Sequence, residues 1–289
     1  MKTQRSFHHH EVGELYLVPT PIGNLEDMTF RAIEILKKVN WIAAEDTRNS
    51  KKLCNFFEIA TPIMSYHEHN KKVSGEKILT KLRNGEKVAL VSDAGMPCIS
   101  DPGYEIVRQT LEEGYAVIPL PGANAALTAL IASGIEPQPF YFYGFLARGK
   151  KDKKEELDKL KSIEATLIFY ESPHRLKDTL HYIKEYLGNR KLVLCRELTK
   201  KYEEFIRGTV EDVIDWVEAT EIRGEFCIIV EKGVEQLDEE TPWWTTKSLV
   251  EHIEYYIQEE QFHSKDAIKQ VALERKLPKR EVYKAYHIE

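Results

Sequence analysis

Four short apolar runs, at residues 15–18, 41–44, 88–91 and 116–120, alternate with helix-patterned segments such as Met28 to Val39 and Glu76 to Leu82. Apolar runs this short fit strands covered on both faces, and strands spaced by helices build a parallel sheet. The alternation therefore predicts an α/β domain over residues 13–121. Its third run is followed by the most informative loop in the chain, Val88-Ala-Leu-Val-Ser-Asp-Ala-Gly-Met-Pro-Cys-Ile-Ser-Asp-Pro-Gly103. Asp93, Gly95 and Pro97 stop the strand abruptly, and a helix is expected to restart at Asp101-Pro102, with Ser100 or Asp101 as its cap. Ligands of open α/β sheets sit beyond the carboxyl ends of strands, which places Asp93, Ala94 and Gly95 to line a site. A plain connection with capping residues would look similar.

Two more strand ends repeat the pattern, in Leu15-Tyr-Leu-Val-Pro-Thr-Pro-Ile-Gly-Asn24 and Val117-Ile-Pro-Leu-Pro-Gly-Ala-Asn-Ala125. Proline and glycine in such loops expose backbone groups without bulky side chains, so a ligand can approach the main chain closely. No GxGxxG follows the first strand and no GxxxxGK[ST] occurs, which argues against an ordinary dinucleotide fold and a P-loop hydrolase.

A helix over 122–133 and the turn-rich Gly134-Ile-Glu-Pro-Gln-Pro139 lead into a second α/β domain over 122–233. Its strands are expected at 140–144, 166–170, 192–196, 204–207 and 226–230, with helices at 173–187 and 211–219 between them. Ser172-Pro173 reads as a cap with proline at the first helical position, and Thr209-Val-Glu-Asp212 as a capping box. Beyond Gly233 the composition shifts: Leu237 to Trp244 reads as a linker and anchor, followed by helices at 249–259, 264–274 and 279–286. Ala267, Ile268, Val271 and Ala272 form an apolar face and Leu277-Pro278 a turn, in the manner of a helix-turn-helix. That module occupies 234–289, and residues 1–12 form an N-terminal arm.

The net charge of −6 is not that of a protein that coats nucleic acid, so any nucleic-acid contact must come from local patches. Three such patches stand out: Arg48 with Lys51 and Lys52, the run Arg148 to Glu155, and the tail from His263 to His287, which has seven Lys/Arg against three acids. Each can also be read as a solvated face. Cys54, Cys98, Cys195 and Cys227 form no CxxC pair, so neither a zinc site nor a disulfide framework is expected. His8-His9-His10 reads as part of a solvated arm. There is no apolar N-terminal core and no run of the ~20 apolar residues a membrane span needs, so a cytoplasmic protein is expected.

The three strand-end loops, together with Ala44-Glu-Asp-Thr-Arg-Asn-Ser-Lys51 and Phe169-Tyr-Glu-Ser-Pro-His-Arg175, make the chain resemble the tetrapyrrole-methylase-like family of S-adenosylmethionine-dependent methyltransferases. Within that family it resembles the branch that methylates a ribose 2′-hydroxyl of a cytidine in 16S ribosomal RNA, at the decoding centre of the small subunit. The likeness runs from Gly13 to Gly233 and less distinctly beyond. It implies two α/β domains with the cofactor in the cleft between them, plus the helical module. It also implies S-adenosylmethionine contacts at Pro21, Gly23, Asp93, Ala94, Gly95, Ile99, Gly122, Ala123, Tyr170 and Glu171. By the same likeness, Arg48, Lys51, Lys52, Arg148, Lys150, Lys151, Arg175, Lys276, Lys279 and Arg280 would hold RNA. The cofactor brings its own activated methyl group, so no metal is implied, and the protein's tasks are positioning and proton removal. Asp101, Asp46 and Glu45 are the candidates for the base, in no order, and a homodimer is left open. Two other readings share the fold: a tetrapyrrole C-methyltransferase, and a non-catalytic RNA-binding ribosome-assembly factor.

Overall fold

A computed structural model describes residues 3–4, 12–233 and 243–287, so His8 to His10 and most of the expected linker lie outside the described residues. The chain divides into two compact units, residues 1–233 and 234–289.

The first unit opens with β1 (Glu14–Leu17), a 3-10 turn (Leu25–Asp27), α1 (Phe30–Lys38), β2 (Trp41–Ala44), α2 (Thr47–Phe56), β3 (Ile63–Ser65), α3 (Lys71–Arg83), β4 (Lys87–Val91), α4 (Tyr104–Glu112) and β5 (Ala116–Pro119). The strands form one sheet in the order β3-β2-β4-β1-β5. Every pair is parallel, as the alternation of runs and helices predicts. Successive residues of β4 feed opposite faces. Val88 and Leu90 join Leu15, Ile78, Leu82 and Ile106, whereas Ala89 and Val91 join Tyr16, Leu36, Ile42 and Ile118. A strand buried on both faces has to be apolar throughout, which is why β4 was visible in the sequence. The edge strand β3 was not visible, because its three residues are only half-buried.

The second half of this unit runs α5 (Ala125–Ser133), β6 (Phe140–Phe145), α6 (Lys150–Leu160), β7 (Thr166–Glu171), α7 (Leu176–Leu187), β8 (Lys191–Arg196), β9 (Glu204–Thr209), α8 (Val210–Ala219) and β10 (Phe226–Val230). Its sheet has the order β6-β7-β10-β8-β9 and is mixed: β6 and β7 are parallel, and the other pairs are antiparallel. The capping box at Thr209 forms as expected, with Asp212 N donating to Thr209 Oγ1 at 3.2 Å and Thr209 N to Asp212 Oδ2 at 2.8 Å.

Three helix starts beside the strand-end loops differ from expectation. The helix after β4 begins at Tyr104, not at Asp101-Pro102, because Ser100 and Gly103 adopt positive φ (62° and 146°) and keep the intervening residues out of helical geometry. The helix after β7 begins at Leu176. Ser172 instead anchors a turn in which its carbonyl accepts from Arg175 N and Leu176 N. Finally, α5 begins after Asn124, whose side chain accepts from Leu127 N, which leaves Gly122 and Ala123 in the loop.

The second unit contains α9 (Leu249–Gln258), α10 (Ser264–Glu274) and α11 (Lys279–His287). Its own small core includes Ile253, Val282 and the expected Ala267, Ile268, Val271 and Ala272. Buried His252 is held by Arg275, which donates from Nε to Nδ1 at 3.1 Å, and its Nε2 lies 3.0 Å from Glu274. Arg275 also donates to the carbonyls of Trp244 and Lys247, so it belongs to the packing and not to the exposed basic face.

Candidate functional site

The loops after β1 and β4 are joined to each other. Thr20 and Gly95 exchange both backbone hydrogen bonds (2.9 and 3.0 Å), and Thr20 Oγ1 donates to the Ser92 carbonyl at 3.0 Å. Gly95 sits at φ 86°, and a Cβ there would stand 3.2 Å from Ile22, so the position favours glycine on two counts. Against these loops the second half of the unit closes a cavity of about 420 Å³. From the first half it is lined by Ile22, Ala94, Gly95, Ile99 and Asp101, and from the second by Tyr170, Glu171, Cys195, Leu198, Lys200 and Cys227 among others. This volume and mostly apolar lining suit a small-molecule cofactor.

Five of the ten residues proposed for cofactor contact therefore meet around one cavity: Ala94, Gly95, Ile99, Tyr170 and Glu171. Pro21, Gly23 and Asp93 line a second hollow of about 290 Å³ on the α2 side of the same loops. Gly122 packs against Pro19, where a Cβ would approach to 2.5 Å, and the Ala123 carbonyl stands beside Gly95. The end of β8 that supplies Cys195 and then Leu198 carries no proline or glycine signal, so the sequence offered no sign of them.

Tyr170 has a defined task. Its hydroxyl accepts from Ala126 N at 3.0 Å and so satisfies one of the free N–H groups at the start of α5. Burial pushes its hydroxyl up to about 12, so it stays protonated at neutral pH. Glu171 borders the cavity, but both of its oxygens are engaged inside the protein. One accepts from Ser172 N at 2.8 Å, and the other accepts from the Thr179 hydroxyl at 2.6 Å. Lys153 Nζ donates to that same hydroxyl at 3.1 Å. Lys153 is buried, although it lies within the basic run read as either an RNA contact or a solvated face, and burial lowers its ammonium pKa.

The three candidate bases separate clearly. Asp46 caps α2 through Arg48 N at 2.8 Å and forms an ion pair with the Arg48 guanidinium at 2.6 Å. The Arg48 side chain, and then its backbone, hold the Asp46 carboxyl down to about 2. Burial, and then the charge of Asp93, raise Glu45. Asp101 lines the cavity, and burial, followed by the charges of Glu45 and Asp93, pushes its carboxyl up to about 7 despite a hydrogen bond from Ser92.

The residues proposed for RNA fall into groups. Arg48 is exposed but occupied by Asp46. Lys51 and Lys52 are exposed and have no ion-pair partner among the described residues. Arg148, Lys150 and Lys151 are exposed at the start of α6. Arg175 is turned inward: its guanidinium donates to the carbonyls of Leu146 (2.6 Å) and Ala147 (3.1 Å) and lies 3.4 Å from Glu171. This occupancy gives it a structural use that first-turn helix placement did not reveal. Lys276, Lys279 and Arg280 are exposed on the second unit.

A fold of two sheets with a cavity beyond strand carboxyl ends is that of a known class. The profile of the tetrapyrrole (corrin/porphyrin) methylases matches residues 14–214. Among solved structures, the fold is similar to a cobalt precorrin-4 methyltransferase, with TM-score 0.59 and 19% identity over 75% of this chain and 94% of that one. It is also similar to the uroporphyrin-III C-methyl transferase of Thermus thermophilus, solved with S-adenyl homocysteine, with TM-score 0.56 and 19% identity over 76% and 97%. In sequence, the chain is 61% identical to the ribosomal RNA small subunit methyltransferase I of Bacillus subtilis (strain 168), over 100% of this chain and 99% of the relative. The chain belongs to the tetrapyrrole methylases and, within them, to the ribosomal RNA small subunit methyltransferase I family.

Proposed function

We propose that the chain transfers the methyl group of S-adenosylmethionine to a ribose 2′-hydroxyl of a cytidine in 16S RNA of the small ribosomal subunit. The observation that carries this reading is the 61% identity across the full length, second unit included, to a relative named for that RNA. The tetrapyrrole relatives share the fold at only 19% identity and cover about three-quarters of the chain. A tetrapyrrole substrate is therefore the less favoured alternative.

S-adenosylmethionine, when bound, supplies a methyl group activated by a sulfonium sulfur. The 420 Å³ cavity fits such a group: it has an apolar lining, and the loop backbone at Ala94 and Gly95 can approach a ligand closely. Tyr170 fixes the start of α5 at one wall, and the Thr20–Gly95 pairing fixes the loops at the other. A ribose hydroxyl is a weak nucleophile at neutral pH, so its proton must leave as the oxygen bonds to carbon. Asp101 accepts that proton in our reading, because of the three candidates it alone lines the cavity, and its carboxyl is held up at about 7. Lys51 and Lys52, together with Arg148, Lys150 and Lys151, hold phosphates, and the exposed Lys276, Lys279 and Arg280 add affinity from the helical module.

The domain division that accompanies this reading is an arm at 1–12, α/β domains at 13–121 and 122–233, and the RNA-binding module at 234–289. No helix among the described residues is long and apolar enough to cross a membrane. A ribosomal substrate would place the protein in the cytoplasm. Pairing into a homodimer would draw on exposed Leu127 and Ile131, one turn apart on α5, and sedimentation velocity tests it. The function is tested by incubating the protein and methyl-labelled S-adenosylmethionine with either immature small subunits or a precorrin. Label in a 2′-O-methylcytidine of the RNA supports the proposal; label only in the macrocycle, or in neither, overturns it.

A further inference from the structure

The second hollow has a character of its own. It is enclosed by the loop after β1 and by α2, and Leu25, Asn49, Lys52, Phe56 and Asp93 are among its lining residues. Phe56 is 61% exposed, whereas the adjacent Phe57 packs on the core. Leu25, on the β1-loop side of the same hollow, is also exposed, so the concavity keeps more than one apolar side chain in water. Lys52, one helical turn before the ring on the same face of α2, also lines the hollow and is exposed without an ion-pair partner among the described residues, so cationic charge is available beside it. The hollow is also tied to the cavity. Asp93 accepts from Asp46 N at 3.1 Å and from Asn49 Nδ2 at 3.3 Å, so the start of α2 is pinned to the loop that lines both spaces. The same two loops line both spaces, with Pro21 and Asp93 at the hollow and Ile22 and Gly95 at the cavity, and the Thr20–Gly95 bridge joins them.

An exposed ring beside the unpaired Lys52, in a space of about 290 Å³, is suited to one base of an unstacked strand, with the ring against its face and the ammonium at its phosphate. We propose that this hollow is the subsite for a base of the RNA segment being methylated: Phe56 stacks on the base, Lys52 meets the adjoining phosphate, and the ribose is thereby presented at the edge of the cavity. The inference rests on the RNA methyltransferase reading and adds where the acceptor strand is gripped.

The test compares wild type, Phe56→Ala, Phe56→Tyr and Lys52→Gln in steady-state methyl transfer to small subunits that lack the modification. Calorimetric affinity for S-adenosylmethionine is measured for each protein. The expected result for Phe56→Ala is a KM for the particle raised about fivefold or more, with kcat within twofold and cofactor affinity unchanged. Phe56→Tyr, which keeps the ring face, should restore the KM. Lys52→Gln should lower the slope of log affinity against log salt by about one. An unchanged KM in Phe56→Ala overturns the subsite while leaving the RNA reading intact. Loss of cofactor affinity in Phe56→Ala also overturns it, since the ring would then be supporting the cleft. No transfer to ribosomal RNA by wild type overturns both.

Discussion

With the proposed role of Asp101 as base, the chemistry and the stability of the cleft make opposite demands on that residue. Its carboxyl is pushed up to about 7 from an ordinary 3.8, so the folded protein holds that proton more tightly than the unfolded chain does. As a base it works only when ionised, so methyl transfer should rise with pH through about 7, and Asp101→Asn should lower kcat and flatten that limb of the profile. Stability runs the other way. Ionising a buried carboxylate is unfavourable, so the penalty is absent below about 4, grows through about 7 and is constant above. Asp101→Asn should therefore melt higher than wild type at pH 8, with the gap closing as pH falls towards 4. Equal melting temperatures at pH 8 would contradict the assignment. Tyr170→Phe isolates a second task. It leaves Ala126 N without its acceptor, which should cost about 1–3 kcal/mol of stability and weaken cofactor binding at the α5 wall. Thermal denaturation and calorimetry measure the two effects separately.

Among the elements, what the sequence revealed depended on whether a segment's signal was local. Thr209 and Asp212 cap α8 reciprocally, a signal contained within four residues and therefore readable in advance. Thr209→Ala should cost about 1 kcal/mol in chemical denaturation, without altering cofactor affinity. β4 was readable for a similar reason, since burial on both faces demands an unbroken apolar run. The start of α4 was misread because Asp101-Pro102 looks like a helix opening, whereas Ser100 and Gly103 at positive φ hold the loop open around the cavity. Local propensity gave way there to the needs of a site. The inward turns of Lys153 and Arg175 could not be read at all. Each is a cation in a polar stretch, and only tertiary placement brings Glu171 and Thr179, or the carbonyls of Leu146 and Ala147, within reach. The cavity shows the same division. Its proline and glycine loops were visible as motifs, but its wall from the end of β8 resembles any other strand end.

At the scale of the whole molecule, the two units keep separate cores, and every residue lining the cavity precedes Gly233. A chain ending at Gly233 should unfold cooperatively and bind S-adenosylmethionine with unchanged affinity. Its KM for the ribosomal substrate should rise, and high salt should narrow the difference from the full chain. Loss of cofactor binding in the truncated chain would show that the helical unit supports the cleft. The mixed sheet carries one more consequence, for the order in which the protein can be made. β10 is the last strand to be synthesised, yet it lies in the middle, between β7 and β8. Until residues 226–230 leave the ribosome, that sheet is two separate pairs with exposed inner edges, whereas the five strands of the first sheet are complete by Pro119. A nascent chain stalled between those points should resist protease in its first part and be cut in its second, and release of the final strand should protect both together.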